Sequence, residues 1–272
     1  MKKKLVKAAK MLGISVIYVL IHIGIQFVLQ GIYFLWNINV NGQSEADAMH
    51  SLLGGTYALN VIGSVISLWI YILIGHWRKR PFAEYINFRK ITHTEVSMTA
   101  CCAIGARMLV CVYQHFAEKS EILKQSIENA SEIMPEVNSA AQMLVLLFSI
   151  AVAAPVFEEL LFRGLVQRTL TEAFRPWLAI VLQAAMFGAA HGFIFQSGFA
   201  FAVGLILGIV YERTRSMWAV MLIHAVFNVS VIITPFEMNR ASVIIFLVGG
   251  VLLVALSMFH LAFGPHGSGK RR

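Results

Sequence analysis

The segment FEELLFRG at 157–164 sets three ionisable side chains inside a long apolar run. Near a bilayer centre each charge costs about 2.5–3.5 kcal/mol, so three would cost about 8–10 kcal/mol before any pairing. Glu159 and Arg163 are four residues apart and can pair along one helix face, with Glu first, which is the more favourable order. Glu158 points about 100° away from Glu159 and is free to face a cavity. The spacing therefore predicts a neutralised pair beside a carboxylate that is available for chemistry.

Two more polar pairs occur downstream at the same helical spacing. In FGAAH, Phe187 and His191 are one turn apart, and in HAVFN, His224 and Asn228 are one turn apart. Each pair by itself is compatible with a purely structural contact. Two Glu, one Arg, two His and one Asn in three apolar segments of the same half of the chain instead favour one shared polar site.

The residue inventory excludes several intramembrane protease chemistries. The chain contains a single aspartate, Asp47, so it cannot form a paired-aspartate site. None of the nine histidines is followed by Glu, so the HExxH zinc helix is absent. There is no GxSxG nucleophile elbow. The groups that remain for catalysis are glutamate, histidine, asparagine and arginine.

The three motifs, in this order, resemble those of a known family. EELLFR, FGAAH and HAVFN resemble the EExxxR, FxxxH and HxxxN motifs of the CPBP group. This group contains the type 2 CAAX prenyl proteases (Ras-converting enzymes) and their bacterial abortive-infection and bacteriocin-immunity relatives. Pro155 before the glutamates and Gly164 after the arginine also resemble the family, and the similar region covers about 144–230.

The resemblance implies an eight-helix intramembrane endopeptidase that acts on a peptide, a lipidated peptide or a membrane-embedded substrate. Glu158 would be the general base that activates water, assisted by His191. His224 and Asn228 would polarise the scissile carbonyl and stabilise the oxyanion. The remaining implied residues support the site and are Glu159, Arg163 and Phe187.

Two alternatives stay open beside this interpretation. His191, His224 and a glutamate would make a His₂Glu zinc site with an open water position. Asn228 is a poor zinc ligand and better employed as a hydrogen-bond donor, so we favour a site with no metal or other cofactor. The second alternative is a non-catalytic immunity or scaffold protein of the same fold, which binds a partner without hydrolysing it.

The composition indicates the elements that must position these residues. The chain is 58% hydrophobic and only 13% charged, with a mean hydropathy of +0.72, which is typical of an all-α polytopic membrane protein. A span of the ~30 Å hydrocarbon core needs about 20 residues. We expect one transmembrane domain over 1–272, with a polar cavity among spans 4, 5 and 7 and a flexible basic tail at 264–272. The eight predicted spans are 11–36, 52–77, 95–116, 141–166, 176–194, 197–212, 217–235 and 242–263.

The distribution of basic residues predicts the orientation of the chain in a cell membrane. Eighteen of the 22 Lys and Arg residues fall at the termini or in loops of one side, and three fall in loops of the other side. By the positive-inside rule both termini are then cytoplasmic. The net charge of +8 belongs to these short runs between spans, so we do not expect nucleic-acid binding. The acidic stretch at 117–139 is predicted to form an amphipathic helix in an outer loop.

We interpret the isolated polar residues as structural. His22 stands alone in an apolar run and is interpreted as a satisfied or interfacial histidine. Glu95 lies at a span end and is interpreted as solvated. Counting ~1.5 Å per residue from the cytoplasmic edge puts Glu158 ~15 Å and His191 ~20 Å into the membrane. One shared site therefore requires the fifth span to tilt or to start below the membrane edge.

Overall fold

The computed structural model describes residues 2–77, 86–134, 137–233 and 238–264, and the side chain of residue 233 is not among them. Across these ranges the protein is all-α, as predicted, with one isolated β-bridge between Phe88 and Ser216. The described helices are α1 Lys2–Asn39, α2 Glu45–Trp77, α3 His93–Ala117, α4 Glu121–Glu132, α5 Ala140–Thr171, α6 Pro176–Ala189, α7 Ile194–Thr214, α8 Met217–Ile233 and α9 Arg240–Phe263.

Six helices are long and apolar enough to cross a membrane: α1, α2, α3, α5, α7 and α9. This supports a multi-pass membrane protein. Helices α6 and α8 are apolar but have 14 and 17 residues, about 21 and 26 Å at 1.5 Å per residue. The expectation of eight full-length spans is therefore not confirmed. The predicted fifth span, 176–194, is too long because the chain turns at Gly192, whose φ of +79° favours glycine.

Helix α5 carries the glutamates and contains two wider π-helical segments, Ser149–Ala153 and Leu160–Gln167. Pro155 follows the first segment. Proline has no N–H to donate to the preceding turn and crowds it, so the helix widens locally instead of breaking. Such π-bulges are frequent at functional sites. The two segments flank the turn that bears Glu158 and Glu159, and simple 3.6-residue counting does not reveal them.

Glycines bring α6 and α7 close together beside this turn. A Cβ added at Gly188 would lie 2.7 Å from the carbonyl oxygen of Ser197, and one added at Gly204 would lie 3.2 Å from Ala184. The backbone of α7 is therefore exposed to polar side chains of its neighbours. Gln183 of α6 donates to the Gly204 oxygen at 2.9 Å. This contact fixes α6, and with it the turn that follows, against the centre of the helix bundle.

Glu95 is buried, so its interpretation as a solvated residue is wrong. Its side chain is 1% exposed and accepts from Arg89 at 2.6 Å. It also accepts from the backbone N–H of Thr92, whose side chain in turn caps the start of α3. A capping box places the carboxylate back over the helix end, and the loop before α3 covers it.

The outer-loop helix predicted within 117–139 is present as α4. The hydroxyl of its Ser126 accepts from the backbone N–H of Phe195 at 3.1 Å, which ties α4 to the start of α7. The tail from 265 onwards lies outside the described residues. The orientation of the termini and the single-domain organisation stay predictions.

Candidate active site

Glu159 and Arg163 form the ion pair that their spacing predicts. Both side chains have no exposed surface, and Nη1 of Arg163 lies 2.8 Å from Oε1 of Glu159. The other Nη of Arg163 donates to the Gly204 oxygen at 3.2 Å. The guanidinium carbon also lies 4.7 Å from the centre of the Phe187 ring, within cation–π range. The pair is thus held by α5, α6 and α7 together.

His224 bridges the two adjacent glutamates. Its Nδ1 lies 2.8 Å from Oε1 of Glu159, and its Nε2 lies 3.8 Å from Oε2 of Glu158. An ionised carboxylate only accepts hydrogen bonds, so against ionised Glu159 the Nδ1 atom must carry the hydrogen. The Nε2 atom then faces Glu158. Helical spacing within single segments could not show this contact, because the partners are 65 residues apart.

Glu158 is the glutamate left over by this pairing. Its side chain is 28% exposed and lines a cavity of about 370 Å³. Its Oε2 is buried and has no hydrogen-bond partner within the described ranges. A buried carboxylate oxygen without a donor is costly. Glu158 therefore borders the cavity without a hydrogen bond from the described residues to hold its Oε2.

His191 lies in the turn after α6 and lines the same cavity as Glu158. Its Nδ1 lies 2.7 Å from the carbonyl oxygen of Phe187. A carbonyl oxygen only accepts, so Nδ1 carries the hydrogen and Nε2 of the neutral ring holds a lone pair. Because both residues line one cavity, the difference in depth predicted from the sequence does not separate them.

Asn228 contacts the backbone of α5. Its Nδ2 donates to the carbonyl oxygen of Ile150 at 2.9 Å, within the first π-helical segment. Ile150 lines the cavity, whereas neither Asn228 nor His224 does. Asn228 therefore supports the cavity wall from behind, with one of its two amide hydrogens committed to that contact.

The cavity itself differs from the one expected among spans 4, 5 and 7. It lies between α1, α2, α5 and the turn after α6, and α8 does not line it. The polar lining residues from the first two helices were not predicted to belong to the site, and they are His22, Gln26, Gln30, Tyr57, Asn60 and Ser64. Their signal was present in the sequence, because His22, Gln26 and Gln30 recur at four-residue steps on one face of an apolar helix. Reading His22 as an isolated histidine overlooked this pattern.

The residues of the alternative zinc site do not form a cluster. No three His, Cys, Asp or Glu side chains in the described parts of the chain are close enough together to hold a metal ion. The arrangement thus does not fit a zinc site built from His191, His224 and a glutamate. We derive no catalytic step through a metal, and metal dependence stays open to a direct measurement.

Comparisons with known proteins match the part of the chain that carries Glu158, Glu159, His191 and His224. Residues 140–230 match a family model described as type II CAAX prenyl endopeptidase Rce1-like. A curated relative from Bacillus subtilis, named "Putative membrane peptidase YdiL", is 26% identical over 113 residues. That match covers 42% of this chain and 45% of the relative, so it spans less than half of the relative's length. No solved structure matches. The resemblance to the CPBP proteases is confirmed, and both matches support a membrane protease.

Proposed function

On the premise that residues 140–230 carry the type II CAAX endopeptidase pattern, we propose that this membrane protein is an intramembrane endopeptidase. It hydrolyses a peptide bond with a water molecule that Glu158 activates. The observation that carries the proposal is the partly exposed carboxyl side chain of Glu158, which lines the 370 Å³ cavity and whose Oε2 makes no hydrogen bond within the described ranges. Pockets of 300–1,000 Å³ are typical of sites for small ligands and short segments.

The reaction needs one group that accepts and then returns a proton. The attacking water lies between the carboxylate of Glu158 and Nε2 of His191, and each accepts one of its hydrogens. As the water oxygen bonds to the scissile carbonyl carbon, one proton passes to Glu158 and the carbonyl becomes an oxyanion. When the intermediate collapses, the C–N bond breaks and Glu158 gives that proton to the leaving amine. The products are a carboxylic acid and an amine.

The base Glu158 is supported by three residues that do not line the cavity: Glu159, Arg163 and His224. Glu159 fixes the ring of His224 through Nδ1, as the carboxylate of a catalytic triad fixes its histidine. Arg163 pairs with Glu159 at 2.8 Å and balances its negative charge. His224 is thereby held beside the base, with Nε2 3.8 Å from Oε2 of Glu158, beyond hydrogen-bond distance. The oxyanion role that the resemblance implies for His224 and Asn228 stays a prediction, since neither lines the cavity.

The membrane arrangement is part of the proposal. We take α6 and α8 as the fifth and seventh crossings, which gives eight crossings with both termini in the cytoplasm. Their short lengths are accommodated because the flanking turns are covered by other parts of the protein, such as α4 against the start of α7. Reporter fusions after α3 and after α9, read with an enzyme that is active on only one side of the membrane, test this orientation.

The central test compares wild type with Glu158→Gln, which keeps the size of the side chain but removes the base. Membranes of cells producing each form are compared by mass spectrometry for peptides and protein termini that only the wild type generates. In a purified assay on a substrate found this way, we expect Glu158→Gln to lose about 10²- to 10⁴-fold in turnover. Glu212→Gln is the matched control, since Glu212 pairs with Arg215 near the end of α7, outside the cavity.

The scaffold alternative makes the opposite prediction. If the fold only binds a partner, Glu158→Gln retains the full cellular effect and no terminus disappears. An unchanged set of termini together with unchanged turnover would refute the endopeptidase proposal.

A further inference from the structure

The wall of the cavity that α1 and α2 form is polar. We define the polar stripe as His22, Gln26, Gln30, Asn60 and Ser64, all of which line the cavity. On α1 its members recur every four residues, and on α2 Asn60 and Ser64 are also four apart. Polar side chains in apolar spans are expensive and usually face a cavity or a bundle interior. None of these residues belongs to the motifs of α5, α6 and α8.

Hydrogen bonds within the stripe fix the orientation of its side chains. Gln26 donates to the backbone oxygen of Asn60 at 3.1 Å, and Gln30 donates to its side-chain oxygen at 3.3 Å. The hydroxyl of Ser64 donates to the same backbone oxygen at 2.7 Å. The two glutamine bonds hold α1 to α2, which a structural role would also require, whereas the Ser64 bond lies within α2. They leave other polar atoms of the same side chains uncommitted.

The tautomer of His22 follows from its contacts. Its Nδ1 lies 3.1 Å from the hydroxyl oxygen of Ser67. That hydroxyl gives its hydrogen to the carbonyl oxygen of Gly63 at 2.7 Å, so its oxygen can only accept from His22. Nδ1 therefore carries the hydrogen, and Nε2 of the neutral ring is an acceptor. His22 lines the cavity together with Glu158 and also lines a second, smaller cavity beside it.

Besides the buried Oε1 of Gln26, three polar atoms of the stripe make no hydrogen bond within the described ranges: the acceptors His22 Nε2 and Gln30 Oε1, and the donor Asn60 Nδ2. Holding two helices together does not require them. From His22 to Gln30 the stripe extends about 12 Å at 1.5 Å per residue. An extended peptide rises about 3.3 Å per residue, so the stripe matches about four residues.

We propose that the polar stripe binds the extended backbone of a polypeptide substrate on one side of the scissile bond. This inference rests on the proposed endopeptidase function and names its substrate class. A peptide bond is accessible to water only where the chain is extended, and in a membrane the freed N–H and C=O groups need new partners. Two acceptors and one donor on the stripe supply them. Recognition is of the main chain and thus tolerates different side chains.

Phe27 indicates how such a segment reaches the stripe. It lines the cavity, yet 73% of its surface is exposed on the outside of α1. The cavity therefore borders the lipid-facing surface of α1 at this residue. A membrane-embedded segment can enter from that side without crossing the polar core around Arg163.

The test is a double-mutant cycle between the protein and the backbone of the substrate. The probe is a fluorescent peptide with the sequence of the most efficiently cleaved site in a proteome-derived peptide mixture. Ester analogues of it replace one backbone N–H at a time within four residues of the cleaved bond. We expect one ester to raise KM about 2- to 12-fold with wild-type protein, the range for a single neutral hydrogen bond. With Gln30→Met or His22→Phe that same ester has no further effect.

Thr56→Val is the matched control, because Thr56 lies on α2, bonds only within its own helix and does not line the cavity. It should keep the KM of the wild type and its response to the ester. Thermal unfolding of each variant in detergent separates a loss of stability from a loss of binding. Additive effects of ester and variant on KM would overturn the inference while the peptide is still cleaved. Failure to cleave any member of the mixture would overturn both proposals.

Discussion

Arg163 is the residue whose removal should damage the fold most directly, because it is fully buried against Glu159. We consider Arg163→Met, which keeps an unbranched side chain but leaves the carboxylate of Glu159 without its cation. Breaking one side of a buried ion pair costs about 3–5 kcal/mol, since the remaining charge stays buried. His224 still donates to Glu159, so the lower part of this range is expected. At about 2–4 °C per kcal/mol, a loss of about 3–4 kcal/mol should lower Tm by about 6–16 °C.

The double variant Glu159→Gln with Arg163→Met separates pairing from packing. Neutralising both partners removes the stranded charge, and such replacements are often neutral or stabilising by about 1–4 kcal/mol relative to the buried pair. The glutamine oxygen can still accept from Nδ1 of His224. We therefore expect the double variant to be more stable than Arg163→Met alone by at least about 2 kcal/mol. Proteolysis-detected or fluorescence-detected unfolding in detergent micelles measures this difference.

The control is Arg168→Met, which changes a half-buried arginine five residues later in the same helix. It should lower Tm by no more than about 4 °C, as expected for a partly solvated charge. If Arg163→Met lowers Tm no more than this control, the reasoning about the buried pair is wrong. Additive effects of the two substitutions at Glu159 and Arg163 would also contradict it, because the pair would then contribute no coupling.

Three further outcomes follow from the described contacts. Chelating agents should leave peptide hydrolysis unchanged, whereas loss of activity that zinc restores would overturn the metal-free mechanism. Gly188→Ala places a methyl group 2.7 Å from the Ser197 oxygen and should destabilise the protein by about 1–3 kcal/mol. Gly24→Ala is the control, because there is open space around Gly24, and it should not destabilise the protein. Equal unfolding temperatures of the two variants would refute the close packing at Gly188. Asn228→Ala leaves the Ile150 oxygen without its donor, so the free energy of unfolding should drop by about 1–3 kcal/mol. We expect the turnover of substrate to decrease as well. Unchanged turnover would restrict Asn228 to a structural role.

Local spacing along the chain was sufficient for several features of this protein. The all-helical membrane character follows from composition and from the length of the apolar runs, because any chain in hydrocarbon must satisfy its backbone hydrogen bonds internally. The ion pair between Glu159 and Arg163 follows from their four-residue separation, because one helical turn brings such side chains together. Elimination of other chemistries followed from residue identity alone.

Prediction from residue spacing failed where the helix departs from 3.6 residues per turn or ends earlier than the apolar segment. The π-helical segments around Pro155 change the register of α5, and the chain turns at Gly192 soon after α6 ends at Ala189, so the helix of the fifth apolar segment is shorter than predicted. Glu95 was misassigned because a span end predicted from hydropathy carries no information on the loop that folds back over it. Arg89 lies in that loop and buries the carboxylate.

Only the tertiary structure decided which polar groups share a site. Glu159 is bonded to a histidine 65 residues away, and the wall opposite Glu158 comes from α1 and α2, outside the region of motif resemblance. Periodicity specifies which face of a helix is polar, but it does not specify which other helix that face meets. That choice depends on packing of the whole bundle, where glycines such as Gly188 and Gly204 set how closely helices approach. The motif residues could thus be identified from the sequence, whereas the shape and lining of the cavity were determined by the fold.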